Sequence, residues 1–399
     1  MHIDVNNAFL SWTAVKMLKE GSLIDIRKTY AVIGGDEASR RGIVLAKSMP
    51  AKKKGVVTGE TLYMARKKCP RLKSYPPDYY FYKKMSDSMF DLIKNYSPDI
   101  EKMSIDECFL DYTPVKRLYG DEIKFAYKLK KEIYDKLGFT VNIGIANNKL
   151  CAKMASDFSK PYRVHTLFSN EVENKMWPLC VDDLFGVGKQ SAKKLHNLNI
   201  NTIYDLAHAD EVKLYKYFKN QAKVMIKWAR GIGSDFVNPI PDNPKGIGNE
   251  TTLSHNISNR EELYPYLLSL SENVSLRLRR ENKYAYVVVV VLKDKFFKRR
   301  SHQKKLINAT NITEEIYKTT KEILEEMDVS DGIRLIGVRL DNLVSESNHQ
   351  VSLFENITVR DGNNTLEKTV DSIKEKYGFK VIKKASLAKK EVKNKYLNK

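Results

Sequence analysis

Residues 103–111 read MSIDECFLD. Asp106 and Glu107 stand side by side in an apolar, strand-forming stretch that includes Met103, Ile105, Phe109 and Leu110. Consecutive side chains of a strand point to opposite faces, so a half-buried strand gives its acids to water and its apolar residues to the core. An adjacent acidic pair breaks that alternation. A hairpin turn or bulge at the pair would let both carboxylates reach one point, and a neighbouring strand could bring Asp4, from the opening HIDV, alongside. Three converging carboxylates repel, and at least one pKa must rise unless cations stand between them. Oxygen ligands with no His or Cys in the set favour Mg2+. Two such ions about 4 Å apart are suited to in-line phosphoryl transfer. Taken alone, S-I-D-E fits surface acids at a hairpin tip better than a site, because short acidic motifs often occur by chance.

The rest of the chain narrows the choice. Its 399 residues are too many for one core and indicate two to four domains. The hydrophobic share of 42% is ordinary for a globular protein. No apolar run approaches the roughly 20 residues of a membrane helix; the longest, YVVVVVL at 286–292, has the length and branching of a buried strand. The N-terminus has no basic segment followed by an apolar one, so a cytoplasmic location and no membrane partner are expected. Four scattered cysteines without a C-x-x-C pair argue against a disulfide framework and against a zinc site. Lys and Arg number 69 against 49 Asp and Glu, and a net charge of +20 points to polyanionic partners, nucleic acid above all.

Strand-like HIDV is followed by a helix from about 8 to 20. Further strands are expected at 29–33, 43–46, 100–112 and 140–145, and further helices at 61–69, 80–96, 121–137 and 148–158. This alternation gives an α/β or α+β core. Residues 170–230 are patterned as helices, and 231–248, with four glycines and three prolines, reads as a linker. A second α/β segment covers 249–343, with strands at 287–292 and 333–340. The last twenty residues are Lys-rich and read as a solvated tail.

Four pieces now fall in order: D-V-N-N-A-F at 4–9, S-I-D-E-C-F-L-D at 104–111, G-I-A-N-N-K-L-C-A-K-M-A-S-D-F-S-K-P at 144–161, and F-G-V-G-K at 185–189. Over about residues 1–345 the chain resembles the Y-family DNA polymerases, the translesion class. The resemblance implies a multidomain right-hand fold. Residues 1–10 and 76–165 would form the palm, 11–75 the fingers, 166–232 a helical thumb with a helix-hairpin-helix, 233–247 a linker and 248–345 an α/β little finger, with 346–399 as a tail. It implies error-prone synthesis past damaged template bases, by transfer of a dNTP onto a primer 3′-hydroxyl with release of pyrophosphate. Asp4, Asp106 and Glu107, with the Val5 carbonyl, would hold two Mg2+ ions. Asn7 and Ala8 would line the nucleotide site, and the Phe9 ring would exclude a 2′-hydroxyl. Lys160 would contact the triphosphate. Where the family carries S-Y-x-A-R, this chain has Ser48-Met49-Pro50-Ala51-Lys52, so Lys52 keeps a charge without the forked geometry of Arg. The family usually has a few more apolar residues before the first metal aspartate; with three residues ahead of Asp4, either a short first strand or a start further upstream is expected.

For DNA, Gly186 and Gly188 would let backbone N–H groups approach a phosphate, with Lys189 and Lys193 adding charge. The segment KDKFFKRRSHQKK, 293–305, holds seven Lys or Arg and would be a backbone-gripping loop through Lys298, Arg299 and Arg300. Near the tail, Gln350, Leu353 and Phe354 of Q-V-S-L-F resemble the peptide by which bacterial polymerases dock on the sliding clamp. A monomer is expected. Two alternatives stand beside the polymerase: a catalytically inactive DNA-binding relative, and a diguanylate cyclase, because GGDEA at 34–38 looks like the signature loop of those enzymes.

Overall fold

The computed structural model describes residues 1–37, 40, 42–240, 243–345, 357–378, 381, 382 and 384, with backbone alone for 357–364. The chain divides into two compact units, Met1–Gly35 with Gly42–Pro241, and Asp36–Arg41 with Asp242–Lys399.

The first unit is built on a five-stranded sheet in the order Ile100–Lys102, Glu107–Leu110, His2–Val5, Val141–Ile145, Val164–Thr166. The last pair is parallel and the others antiparallel. HIDV is therefore the central strand, buried along its whole length. Its period of two sorts the side chains. Ile3 and Val5 enter a core with Tyr82, Met89, Phe90 and Ile93 of helix Tyr79–Lys94 and Phe125, Leu129 and Ile133 of helix Glu122–Leu137. His2 and Asp4 meet helix Lys149–Asp157, where His2 Nδ1 lies 2.9 Å from Ser156 Oγ. Asn148 caps that helix through the Cys151 N–H. Strand and helix backbones nearly touch at Gly144, where a Cβ would stand 2.0 Å from the Ala152 carbonyl oxygen.

A three-stranded sheet, Val44–Lys47, Ala31–Gly34, Lys73–Tyr75, packs on the N-terminal helix Ala8–Lys19 through Leu10, Ala14, Ile26, Ile33 and Ala46. Residues 169–229 form short helices around a core that includes Leu184, Leu195, Ile203, Met225 and Ile226. Bounds expected from the sequence differ little from those observed. The helix near 8–20 is Ala8–Lys19, and that near 121–137 is Glu122–Leu137.

The second unit is an antiparallel sheet in the order Arg299–Thr310, Tyr284–Asp294, Ile333–Val344, Gly246–Ile257, with helices Arg260–Arg280 and Thr313–Glu325 packed on one face. The valine-rich run is an inner strand, with Val288, Val290 and Leu292 fully buried. Two features depart from the expectations. The basic segment 293–305 is only briefly a loop, since Arg299–Thr310 is an edge strand. A helix, Ile357–Tyr377, also follows the sheet. Its Glu367 accepts the Thr313 N–H at 2.9 Å, capping a helix whose N-cap, Ile312, has no polar side chain. Arg279 pairs with both Glu367 and Asp371. The Q-V-S-L-F segment, Gln350, Leu353 and Phe354 included, lies outside the described residues.

Candidate active site

The acidic stretch is a hairpin whose second strand starts at Glu107, so the pair straddles the boundary between turn and strand. Asp4 and Glu107 are directly opposed across the antiparallel pair, and the Val5 N–H donates to the Asp106 carbonyl at 3.0 Å. One end of the central strand thus gathers the three acids predicted from the sequence. Asp4 is buried, while Asp106 and Glu107 are half-buried.

Two lysines face them. Lys153 Nζ lies 2.7 Å from Glu107 Oε2 and 3.5 Å from Asp4 Oδ2. Lys160 bonds Asp4 and stands 2.8 Å from Asp157 Oδ1. Asp106 instead accepts the Ser104 hydroxyl at 2.6 Å. Lys153 is shared by Glu107 and Asp4, whereas Asp106 turns to Ser104, and the three carboxylates do not form a group with oxygens within 4.8 Å of one another.

Burial pushes the Asp106 carboxyl above its ordinary range, with the Asp4 and Glu107 charges adding to the rise and the Ser104 bond opposing it. Glu107 is pulled down to about 2, by His2 first and then, against its burial, by Lys153. His2 Nε2 stands 3.3 Å from Glu107 Oε2 without a properly aligned hydrogen bond. Burial also lowers the His2 pKa, so the Lys153 ammonium is the durable counter-charge. Burial works against the Lys153 and Lys160 charges, yet Asp4 and its neighbours outweigh it and both pKa values rise.

Asn6 and Asn142 tie these pieces together. Asn6 Nδ2 donates to Asn142 Oδ1, Asn6 Oδ1 accepts the Tyr162 N–H, and Asn142 Nδ2 donates to the Ser156 and Ser159 carbonyls. The network fixes the chain on either side of Lys160. Asn7, in the left-handed region at φ 53°, is exposed and bonds the Lys47 carbonyl at 2.7 Å. Ala8 is buried at the first helical position. Phe9 is half-buried and stacks on Tyr82 at 4.7 Å and 10°. The Tyr82 hydroxyl is fixed in turn by Thr13 at 2.7 Å. Lys52 is exposed on the five-residue helix Met49–Lys53; burial, with the Lys52 charge, lowers the Lys47 pKa.

Sequence reading did not single out Lys153, Ser104, His2 or Lys47. For Lys153 a signal existed, because Lys149, Lys153 and Asp157 recur every four residues and must share one helix face.

Among the nucleic-acid candidates, Gly186 has φ 88°, and a Cβ there would meet the Trp228 ring at 2.3 Å. Gly188 is different: its φ of −81° suits any residue, and a Cβ would meet nothing within 4 Å. It precedes helix Lys189–His196, whose first turn has no side-chain cap. Lys189 and Lys193 are exposed. On the edge strand, register divides the charges. Arg300, His302 and Lys304 oppose Leu292, Val290 and Val288, which are core residues, and approach Asp328, Glu326 and Glu322 on the helix side. Arg299 opposes Lys293 on the other face and pairs with Glu250, while Lys298 is exposed in the turn. Lys298, Arg299 and Arg300 therefore do not form one cluster. GGDEA begins at the end of strand Ala31–Gly34, in a different sheet from the acids, which does not favour a cyclase.

A family model described as the impB/mucB/samB family matches residues 3–157, and that family's C-terminal domain matches 244–353. The DNA polymerase IV of Clostridium acetobutylicum is 48% identical over 98% of this chain and 98% of its own. That of Alkaliphilus oremlandii is 36% identical over 96% and 98%. A solved Y-family DNA polymerase chimera of Dbh and Dpo4 superposes with a TM-score of 0.76 at 26% identity, covering 86% of this chain and 99% of that one. DinB from Sulfolobus solfataricus gives 0.56 at 26% identity, covering 86% and 99%. The chain belongs to the impB/mucB/samB family, the Y-family DNA polymerases. Its activity is that of a DNA-directed DNA polymerase of the translesion class, a nucleotidyltransferase.

Proposed function

We propose that Asp4, Asp106 and Glu107, with the Val5 carbonyl, hold a pair of Mg2+ ions at the end of the central strand. The cross-strand pairing of Asp4 with Glu107, with Asp106 adjacent, is the observation that carries this assignment. The donor set fits the ions, being hard oxygen throughout, and the raised Asp106 pKa marks crowded negative charge. When bound, the divalent ions neutralise the triphosphate and make the primer 3′-hydroxyl easier to deprotonate. The protein's own part is alignment. Lys160, more than a third exposed and shared between Asp4 and Asp157, turns to the triphosphate. Lys52, beside Lys47, meets it from the opposite side. Asn7 and Ala8 carry the backbone past the sugar, and the Phe9 ring, braced by Tyr82, excludes a 2′-hydroxyl.

Units 1–10 with 76–165, 11–75, 166–232 and 248–345 serve as palm, fingers, thumb and little finger, and the enzyme acts as a cytoplasmic monomer on primer-template DNA and dNTPs. In the thumb, Gly186 is demanded by its backbone angle and Trp228, but Gly188 is not. A glycine that packing does not require keeps the uncapped turn open to a phosphate, with Lys189 and Lys193 alongside. In the little finger, Arg299 and Lys298 contact the DNA backbone. A sliding clamp takes Gln350, Leu353 and Phe354.

Primer extension with Mg2+ and dNTPs tests the assignment. Extension by the native chain, its loss in Asp106→Ala and no turnover of GTP alone are expected. Equal extension by Asp106→Ala would remove the acids from the reaction.

A further inference from the structure

Cys180, Asp182 and His196 belong to the short-helix segment and not to the sheet that carries the acids, and they enter none of the roles above. We propose that they form a transition-metal site that takes Zn2+ through one thiolate, one carboxylate and one imidazole, with a fourth position open to water. Their ligand atoms all lie within 4.8 Å of one another. Cys180 Sγ is 3.1 Å from Asp182 Oδ2, and His196 Nε2 bonds the same oxygen. Ligand atoms around tetrahedral zinc stand about 3.3–3.5 Å apart, given Zn–S near 2.3 Å and Zn–N or Zn–O near 2.0 Å. Small side-chain rotations reach that spacing.

The surroundings support a built site. His196 Nδ1 lies 2.8 Å from Asn201 Oδ1. A carbonyl oxygen only accepts, so Nδ1 carries a proton; the Asp182 carboxylate also only accepts, so without an ion Nε2 carries one as well. A bound ion would take the place of that second proton while Asn201 keeps hold of Nδ1–H, the outer-shell arrangement that orients a ligating imidazole. Asn201 is itself held, because its N–H and that of Thr202 both donate to Asp205 Oδ2, at 3.0 and 2.9 Å. The Asn201 carbonyl accepts the Val181 N–H at 2.9 Å, and Cys180 bridges Thr202. The segment that bears Cys180 and Asp182 is thus joined by backbone to the loop that follows His196, and Asn201 of that loop holds the imidazole. The thiol is also reachable. Cys69, Cys108 and Cys151 are buried, whereas Cys180 is exposed. Cysteine spacing argued against zinc because it looks for pairs of thiolates, and here the other ligands are an acid two residues on and a histidine brought back by helix Lys189–His196. A bound ion would clip the entry of the helix-hairpin-helix to the end of its first helix.

The full-length chain, kept reduced with a phosphine, would be titrated with Co2+. One equivalent giving a thiolate-to-cobalt charge-transfer band, displaced by Zn2+, is expected. The band distinguishes this site from the catalytic acids, which have no sulfur. Cys180→Ser should abolish it, His196→Gln should weaken binding more than tenfold, and Asn201→Ala should weaken it about tenfold. Asp106→Asn should leave it unchanged. Absence of the band in the native chain, or its persistence in Cys180→Ser, would overturn the proposal and leave a surface ion pair beside a cysteine. Circular dichroism checks that each variant is folded, and the three ligand-side variants each test the site independently.

Discussion

In the five-stranded sheet the charges sit on the inner strands, Asp4 on the first and Glu107 on its neighbour, and each is tied to a particular lysine. In the four-stranded sheet they line the edge strand Arg299–Thr310, mostly exposed and sorted by register between two faces. Burial separates the two cases. An ion pair taken out of water is costly to break, because the remaining charge has no solvent to replace its partner. An exposed pair contributes little, and neighbours substitute for it. The inner sheet therefore trades tolerance for geometry, and the outer one carries many weak, exposed charges, any one of which can be lost at little cost.

Substitutions can break this contrast. Asp106→Ala should reduce primer extension about 1000-fold while template affinity changes little; a loss confined to affinity would erase the distinction. Phe9→Ala should reduce discrimination between dNTPs and NTPs by about 100-fold in single-nucleotide incorporation, the outcome expected of the proposed role of the ring stacked on Tyr82. Lys153→Met should destabilise the fold by about 2 kcal/mol in denaturant unfolding, because it leaves Glu107 and Asp4 short of a counter-charge.

Acid unfolding sharpens the point. The Glu107 pKa is about 2 in the folded chain against an ordinary 4.5, so its contribution is fully present above pH 4.5 and is lost as pH falls toward 2. Glu107→Gln should flatten stability across that window. The smallest effects belong to the edge strand. Arg299→Ala should weaken template binding a few-fold and reduce the salt slope by about 1. Arg300→Ala, on the helix side, should leave the slope unchanged; equal slopes for the two would mean that register does not sort their roles.

Much of the inner site was legible. Breaking the period of two at Asp106 and Glu107 required a turn, and the structure has one at 103–106, with Glu107 opening the next strand. Helix and strand bounds followed from apolar spacing. Lysine partners were legible only in part: the recurrence of Lys149, Lys153 and Asp157 marks one helix face, but among 69 basic residues nothing marks which acid that face meets. Lys153 depends on the helix-to-strand packing, and Lys160 on the bonds of Asn6 and Asn142. Arg300 was misplaced for a related reason. Reading 293–305 as a loop ignored the alternation that an edge strand imposes on a run of like charges. Helix Ile357–Tyr377 was missed because its polar composition advertises no core; two acids seated on Arg279 hold it instead.

Gly144 sets a tolerance of the kind found in a fitted part. Its missing methyl is the clearance that lets helix Lys149–Asp157 rest against the sheet, and the reach of Lys153 is measured from that seat. No larger residue fits that clearance, because even a methyl would stand 2.0 Å from the Ala152 carbonyl oxygen and 2.5 Å from the Ser156 nitrogen, so any substitution there has to lift the whole helix and carry every one of its charges away from the sheet together.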